Sequence, residues 1–287
     1  MRVTERFFLN PIEPVNTVEL FPELSAELLH LLKNLPRAAW DRATACPAWS
    51  VKDVVAHLLG GNLGRLSFGR DRLSHPKPDI APGNYAALVA YINQRNAEWV
   101  SVARRISPNL LIEFLEITDP QLYQYFKSLP PFEPGGPAVA WAGDAQSPNW
   151  FDVAREYTEK WLHQQHVREA VGQPVLAGRK WLFPVLDAFM RALPHTYRDV
   201  EAPDGAALWF HIVGEAGGNW SLLRQRGMWR LFSGAAPRAV ATVRLDQDIA
   251  WRLFTKGISQ EAAQAEIQSE GDAALGMRIL QMASIMA

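Results

Sequence analysis

Glu159 and His163 stand four residues apart in EYTEKWLHQQHVREAVG, a segment with helical spacing, so both side chains leave one face about one turn apart and can bind one ion. Spacing alone is weak evidence. Seven histidines and 30 acids in 287 residues give roughly 0.7 such acid-to-His pairs by chance. The chain has three: Asp53 with His57, Asp71 with His75, and Glu159 with His163. Asp53 is otherwise accounted for, because it follows Ser50 by three residues and can complete a capping box where backbone N–H groups draw its carboxylate. That leaves His57 without a local partner beside the apolar face of VVAHLLGG, where an unpaired imidazole is costly to bury. Set opposite Glu159 and His163, His57 completes two imidazoles and one carboxylate, an open-site ligand set for zinc with a fourth position for water or substrate. The ordinary alternative is a hydrogen-bonded core histidine and a solvated Glu–His pair. His166 shares the stripe but lies seven residues, roughly 10.5 Å along the axis, from Glu159. Glu159 or His166 therefore joins His163 at one ion, not both.

Such side chains need helices to aim them. Residues 19–35 carry Leu20, Leu24, Leu28, Leu29 and Leu32 on one stripe before Pro36. A second helix starts at Ser50 and runs to about residue 73, with Val54, Val55, Leu58, Leu59 and Leu63 as its apolar face. A third spans about 84–106 and a shorter one 109–128, before the loop SLPPFEPGGP. The fourth long helix runs from Pro148-Asn149-Trp150 to Gly172. Four long amphipathic helices suggest a bundle. After residue 175 the pattern changes to a helix near 180–193 and four runs with strand character, 206–213, 219–225, 228–232 and 239–245. Glycines separate them as in antiparallel hairpins, and helical signals return at 246–256 and 271–286. The expected fold is a four-helix metal-binding bundle over 1–175, followed by a smaller α+β domain with an antiparallel sheet over 176–287.

Hydrophobic residues at 48% and charged residues at 21% describe a globular chain with a substantial core. A net charge of -1 provides no field for nucleic acid or an anionic membrane and leaves a homodimer open. The single cysteine, Cys46, excludes an intramolecular disulfide and fits a reducing cytoplasm. Together with the lack of any 18-residue apolar run or signal-peptide pattern, this predicts a soluble cytoplasmic protein. Cys46 itself reads as a small hydrophobe in a Cys-Pro turn. Trp49, Trp150 and Trp161 fall near the candidate ligands as pocket walls or core. His75 and His195 read as loop residues, and His30 and His211 as packing or surface positions.

The segment ATACPAWSVKDVVAHLLGG resembles the N-terminal module of the mycothiol-dependent maleylpyruvate isomerases, within the wider DinB/YfiT-like group of four-helix metalloenzymes. EYTEKWLHQQHVREAVG resembles the second signature of that family, and the stretch from TVRLDQDIAWRLFTKG to the end is similar to a C-terminal domain often fused to it, related to sterol-carrier-protein-like folds. The resemblance implies that His57, Glu159 and His163 hold zinc or another divalent ion such as nickel. It also implies a low-molecular-weight thiol as cosubstrate beside a small-molecule substrate. His166 stands where the family usually has Asp, which alters whatever that Asp orients. Arg252 matches a family word in AWRLFTKG and is assigned to an anionic substrate across the domain junction, with a salt bridge to Asp248 as the alternative. The implied activity is a thiol-using isomerase or S-transferase. A water in place of the thiol gives a hydrolase, and a different class of reading is a non-catalytic metal- or small-ligand-binding protein.

Overall fold

The computed structural model describes residues 9–74, 80, 84–136 and 138–284, so the reading of His75 lies outside the described residues. The chain divides into two compact units. A helical unit is built chiefly from Asn16–Ala138 and Gln146–Leu176, and a sheet unit from Val139–Ala145 and Ala177–Ile285 with the Met1–Val15 segment.

The helical unit contains α1 (Phe21–Lys33), α2 (Val51–Gly64), α3 (Tyr85–Ala103), α4 (Pro108–Ser128) and α5 (Asn149–Ala170). The leucine stripe of α1 packs on the Val-Leu face of α2, except that Leu63, expected on that face, is exposed. Leu28, Leu31 and Leu32 share one core with Val54, Val55, Leu58 and Leu59, joined by Leu111, Ile112 and Leu115 from α4. Each such side chain contributes about 1.5–3 kcal/mol by leaving water. Ser50 and Asp53 form the expected capping box, and Arg104 adds a two-pronged ion pair to Asp53 at 2.9 and 3.0 Å. A π-helical turn at Arg65–Arg70 continues α2. The segment read as a shorter helix is a full 21 residues, with Pro120 inside α4. A proline interrupts the ladder only at the carbonyl four residues back, and that residue, Glu116, is exposed, where water can take the bond.

The sheet unit contains β1 (Asn10–Pro11), α6 (Arg179–Met190), α7 (Leu193–Thr196), β2 (Ala207–Val213), β3 (Gly218–Gln225), β4 (Met228–Ser233), β5 (Ala241–Asp246), α8 (Gln247–Phe254), α9 (Gln260–Glu266), β6 (Gln268–Gly271) and α10 (Ala273–Met277). Its six strands lie in the order β1-β4-β3-β2-β5-β6. The expected antiparallel sheet is in fact mixed, because β5 runs parallel to β2 with Leu208 opposite Ala241 and Phe210 opposite Val243. The glycine punctuation does mark hairpins up to β4. Arg226 and Gly227 join β3 to β4 with φ of 52° and 72°, the positive pair a two-residue turn of type I′ needs. Beyond β4 the chain does not turn back on itself. Ser221 Oγ on β3 donates to Gly234 O at 2.8 Å and accepts from Ala236 N at 3.0 Å, leading residues 234–240 across to the far side of β2. Helix was expected over 271–286. Among the described residues of that range, helix is confined to α10 and a 3-10 turn at Arg278–Gln281, directly after β6, which pairs with β5. Leu208, Phe210 and Ile212 alternate inward at strand period. Tyr197 packs edge-on against Phe210 at 5.9 Å, and Trp220 Nε1 donates to Asp187 on α6 at 2.9 Å. Among the described residues, no helix is long and apolar enough to cross a membrane.

Candidate metal centre

Helix α5 is polar in composition and yet buried over most of its surface. Asp152, Glu156, Lys160, His163, Gln164, Gln165 and Arg168 are all largely removed from water, which is tolerable only if each polar group finds a partner. For Asp152, Glu156 and Lys160 the partners come from α2 and the π-helical turn that continues it. Arg65 donates through Nη1 and Nη2 to both carboxylate oxygens of Asp152, at 2.8 and 2.5 Å, and through Nε to Glu156 at 2.9 Å. Lys160 donates to Asn62 at 2.6 Å, and Asn62 donates to Asp119 on α4 at 2.7 Å. Burial opposes the Arg65 charge, but Glu156 and Asp152 outweigh it and raise its pKa. Burial likewise disfavours the Glu156 carboxylate, and Arg65 and Arg155 bring its pKa below the ordinary value. Because Arg65 meets the start of α5 while His57 meets its later turns, the two helices run antiparallel, with Asp152, Glu156, Glu159 and His163 on the facing stripe.

At the other end of that stripe, His57 Nε2 lies 3.1 Å from Glu159 Oε1 and His163 Nε2 lies 3.2 Å from the same oxygen. The two imidazole centroids are 4.6 Å apart and steeply inclined. The ligand atoms of His57, Glu159 and His163 all lie within 4.8 Å of one another. Two imidazole nitrogens and one carboxylate oxygen converging in this way match an open zinc ligand set. The His57 and His163 side chains are 12% and 10% exposed and that of Glu159 is 34% exposed, so the group is walled on the imidazole side and reachable on the carboxylate side. The Trp49 ring stands 4.8 Å from His57 and 6.2 Å from His163, forming part of that wall.

Electrostatics already bind the trio together. Burial raises the Glu159 carboxyl pKa, yet the charge and hydrogen bonds of His163 and His57 hold it well below the usual carboxylate range. Burial lowers His163, and the Glu159 charge, with the hydrogen bonds His163 donates to Cys46 and Glu159, overcomes this and lifts it to about 10. His57, dominated by desolvation, is lowered despite its Glu159 contact.

The other readings divide. Trp161 is core, fully buried with its Nε1 donating to Leu176 O at 3.1 Å, while Trp150 stacks on Phe151 at 5.1 Å. Arg252 belongs to the sheet unit, where its Nε donates to Asp248 at 2.9 Å and its guanidinium lies 4.2 Å from the centroid of the Trp251 ring. Sequence reasoning missed the Arg65–Asp152–Glu156 cluster, because a carboxylate pair four apart on a polar helix reads as solvated surface. It also set Cys46 aside, whereas Cys46 Sγ lies 3.2 Å from His166 Nδ1. The available signal was the Cys-Pro turn immediately before the capped start of α2.

Residues 21–168 match the family model for the mycothiol maleylpyruvate isomerase N-terminal domain. Among solved structures, the chain is similar to the mycothiol-dependent maleylpyruvate isomerase, with TM-score 0.52, and to a histidine-to-alanine variant of it, with TM-score 0.53. In both cases identity is 10%, and the likeness covers 88% of this chain and 91% of that chain. At that identity the likeness is one of fold, and it extends beyond the family-matched segment. A search of the curated proteins finds no match.

Proposed function

We propose, on the premise that this chain belongs to the family of the mycothiol maleylpyruvate isomerase N-terminal domain, that it is a metal-dependent isomerase using a low-molecular-weight thiol on an electrophilic double bond of a small molecule. The observation that carries the reading is the meeting of His57 Nε2, His163 Nε2 and Glu159 Oε1 from two helices, with one side open to solvent. These three residues would hold zinc or another divalent ion such as nickel. When bound, the ion supplies a position at which a coordinated thiol loses its proton and becomes a nucleophile at neutral pH.

The remaining work belongs to the chain. Glu159 offsets one of the two positive charges, and Trp49 limits access from the imidazole side. Arg65, clamped to Asp152 and Glu156, fixes the spacing and register of α2 against α5. The thiolate adds to one carbon of a double bond conjugated with a carbonyl, forming a C–S bond as the π pair moves onto the carbonyl oxygen. Rotation about the resulting single bond follows. The pair then returns, the double bond re-forms in the other geometry, and the C–S bond breaks to release the thiolate unchanged. If the adduct is instead protonated at carbon, the same site performs S-transfer.

In this reading the five-helix unit carries a four-helix metalloenzyme bundle within residues 1–175. The segment 176–287 is a sterol-carrier-like domain, Arg252 engages an anionic substrate, and the protein works in the cytoplasm. The test is cobalt-loaded protein given mycothiol and maleylpyruvate. A shift of the cobalt bands on adding thiol, with thiol-dependent isomerisation, is expected. Unchanged bands and no turnover would overturn the proposal in favour of a binding protein.

A further inference from the structure

His163 has two ring nitrogens, and only Nε2 faces Glu159. Its Nδ1 faces a different set of donors: His166 Nδ1 at 3.4 Å and Cys46 Sγ at 4.0 Å, with Cys46 Sγ and His166 Nδ1 themselves 3.2 Å apart. The three ligand atoms lie within 4.8 Å of one another. Around a tetrahedral zinc with bonds of about 2.3 Å to sulfur and about 2.1 Å to nitrogen, donors stand about 3.4–3.6 Å apart. The observed triangle brackets those separations, so an ion fits with shifts of a few tenths of an ångström.

The sulfur is held in place by backbone structure. Residues 42–51 close on themselves as a clasp in front of α2: Val51 N donates to Arg42 O at 2.9 Å, Thr44 N to Trp49 O at 3.2 Å, and Trp49 N to Cys46 O at 2.9 Å. Thr44 Oγ1 accepts from Cys46 N at 3.2 Å and donates to Trp49 O at 2.9 Å. His163 and His166 share a stripe of α5, three residues apart. Two rigid elements thus present one thiol and two imidazoles to a common point at a half-buried position.

We propose that Cys46, His166 and His163 Nδ1 form a second metal site, taking a borderline or soft divalent ion such as zinc or cadmium. One thiolate and two imidazoles suit such ions and are poor ligands for magnesium or calcium. Binding exchanges the Cys46 S–H bond for an S–metal bond and sends the proton to solvent. The site goes beyond the function proposed above and does not depend on it. A neutral imidazole carries one free lone pair, so the two sites compete for His163, and removing an oxygen-side ligand strengthens the sulfur-side site.

The test is titration of the metal-free full-length protein with Co2+ in the absence of any added thiol. Cys46 is the only cysteine, so a thiolate-to-cobalt charge-transfer band in the near ultraviolet reports this site alone. Glu159→Gln is expected to show the band at higher intensity per bound cobalt than the parent. Cys46→Ser and His166→Ala, each made in Glu159→Gln, are expected to lose it, with far-ultraviolet circular dichroism verifying the fold. No band in Glu159→Gln, or a band that survives His166→Ala, would overturn the second site. Cobalt d–d bands in Cys46→Ser alone that vanish in Cys46→Ser/His57→Ala report the oxygen-side set separately, so failure of either site is read independently.

Discussion

His57 Nε2 stands 3.1 Å from Glu159 Oε1 across 102 residues of chain. The contact joins the apolar helix α2 to the polar helix α5 and gives an otherwise stranded imidazole its partner. It also sets a demand on Glu159, whose single oxygen serves both histidines. In a Cys46→Ser background, where sulfur donors are absent, Glu159→Gln should weaken zinc binding by more than the ~10–100-fold typical of losing an outer-shell partner. Competition against a chromophoric chelator measures this, and an affinity equal to that of the parent would contradict the assignment.

The Arg65 cluster is a second commitment of the same helix pair. Arg65→Met leaves Asp152 and Glu156 buried, at 3% and 7% side-chain exposure, without their main counter-charge. Breaking a buried pair from one side costs about 3–5 kcal/mol, readable as a lower urea midpoint. A loss below about 1 kcal/mol would show that solvent or Arg155 compensates.

Gly60 sits inside α2, where alanine is ordinarily better by about 1 kcal/mol. Here a Cβ would collide with Trp99 Nε1, which donates to Ala56 O at 2.7 Å. The indole must shift and surrender that hydrogen bond, so Gly60→Ala should destabilise by ~1–2 kcal/mol despite the propensity gain. Chemical denaturation with tryptophan emission as the probe decides the sign.

Asp53 couples the start of α2 to pH. Burial raises its pKa, but Arg104 and the Ser50 N–H more than compensate and leave it below the ordinary value. A depressed folded-state pKa adds stability that is complete above the unfolded value near 4 and lost as pH falls through the folded value. The stability difference between the parent and Asp53→Asn should therefore be flat near neutrality and shrink below about pH 4. A difference that grows on acidification would reverse the sign of the Arg104 contribution.

Much of the helical unit was legible because the signals were local. The leucine stripe of α1, the Ser50–Asp53 box and the i,i+4 relation of Glu159 to His163 each follow from spacing within one helix. The meeting of His57 with that pair could be inferred because an imidazole on an apolar face has few satisfactory partners. Arg65 with Asp152 and Glu156 was illegible for the opposite reason: charges on a polar helix have a cheap alternative in water, and only the packed structure removes it. In the sheet unit, β6 is a QSEG segment without strand propensity, made a strand by the free edge of β5. The parallel placement of β5 depends on Ser221 receiving the 234–240 connection, a long-range contact with no local pattern. By contrast, α9 had a readable start, Ser259 capping Ala262 N at 3.1 Å, ahead of the strong helix formers Glu261, Ala262 and Ala263.

In the proposed function one ion sits among His57, Glu159 and His163. Anomalous diffraction at the zinc edge, from crystals of the zinc-loaded protein, addresses it directly. A peak within bonding distance of His57 Nε2, Glu159 Oε1 and His163 Nε2 is expected. A zinc-loaded crystal whose anomalous peaks all lie elsewhere, with these three side chains still holding one another by hydrogen bonds, would contradict it.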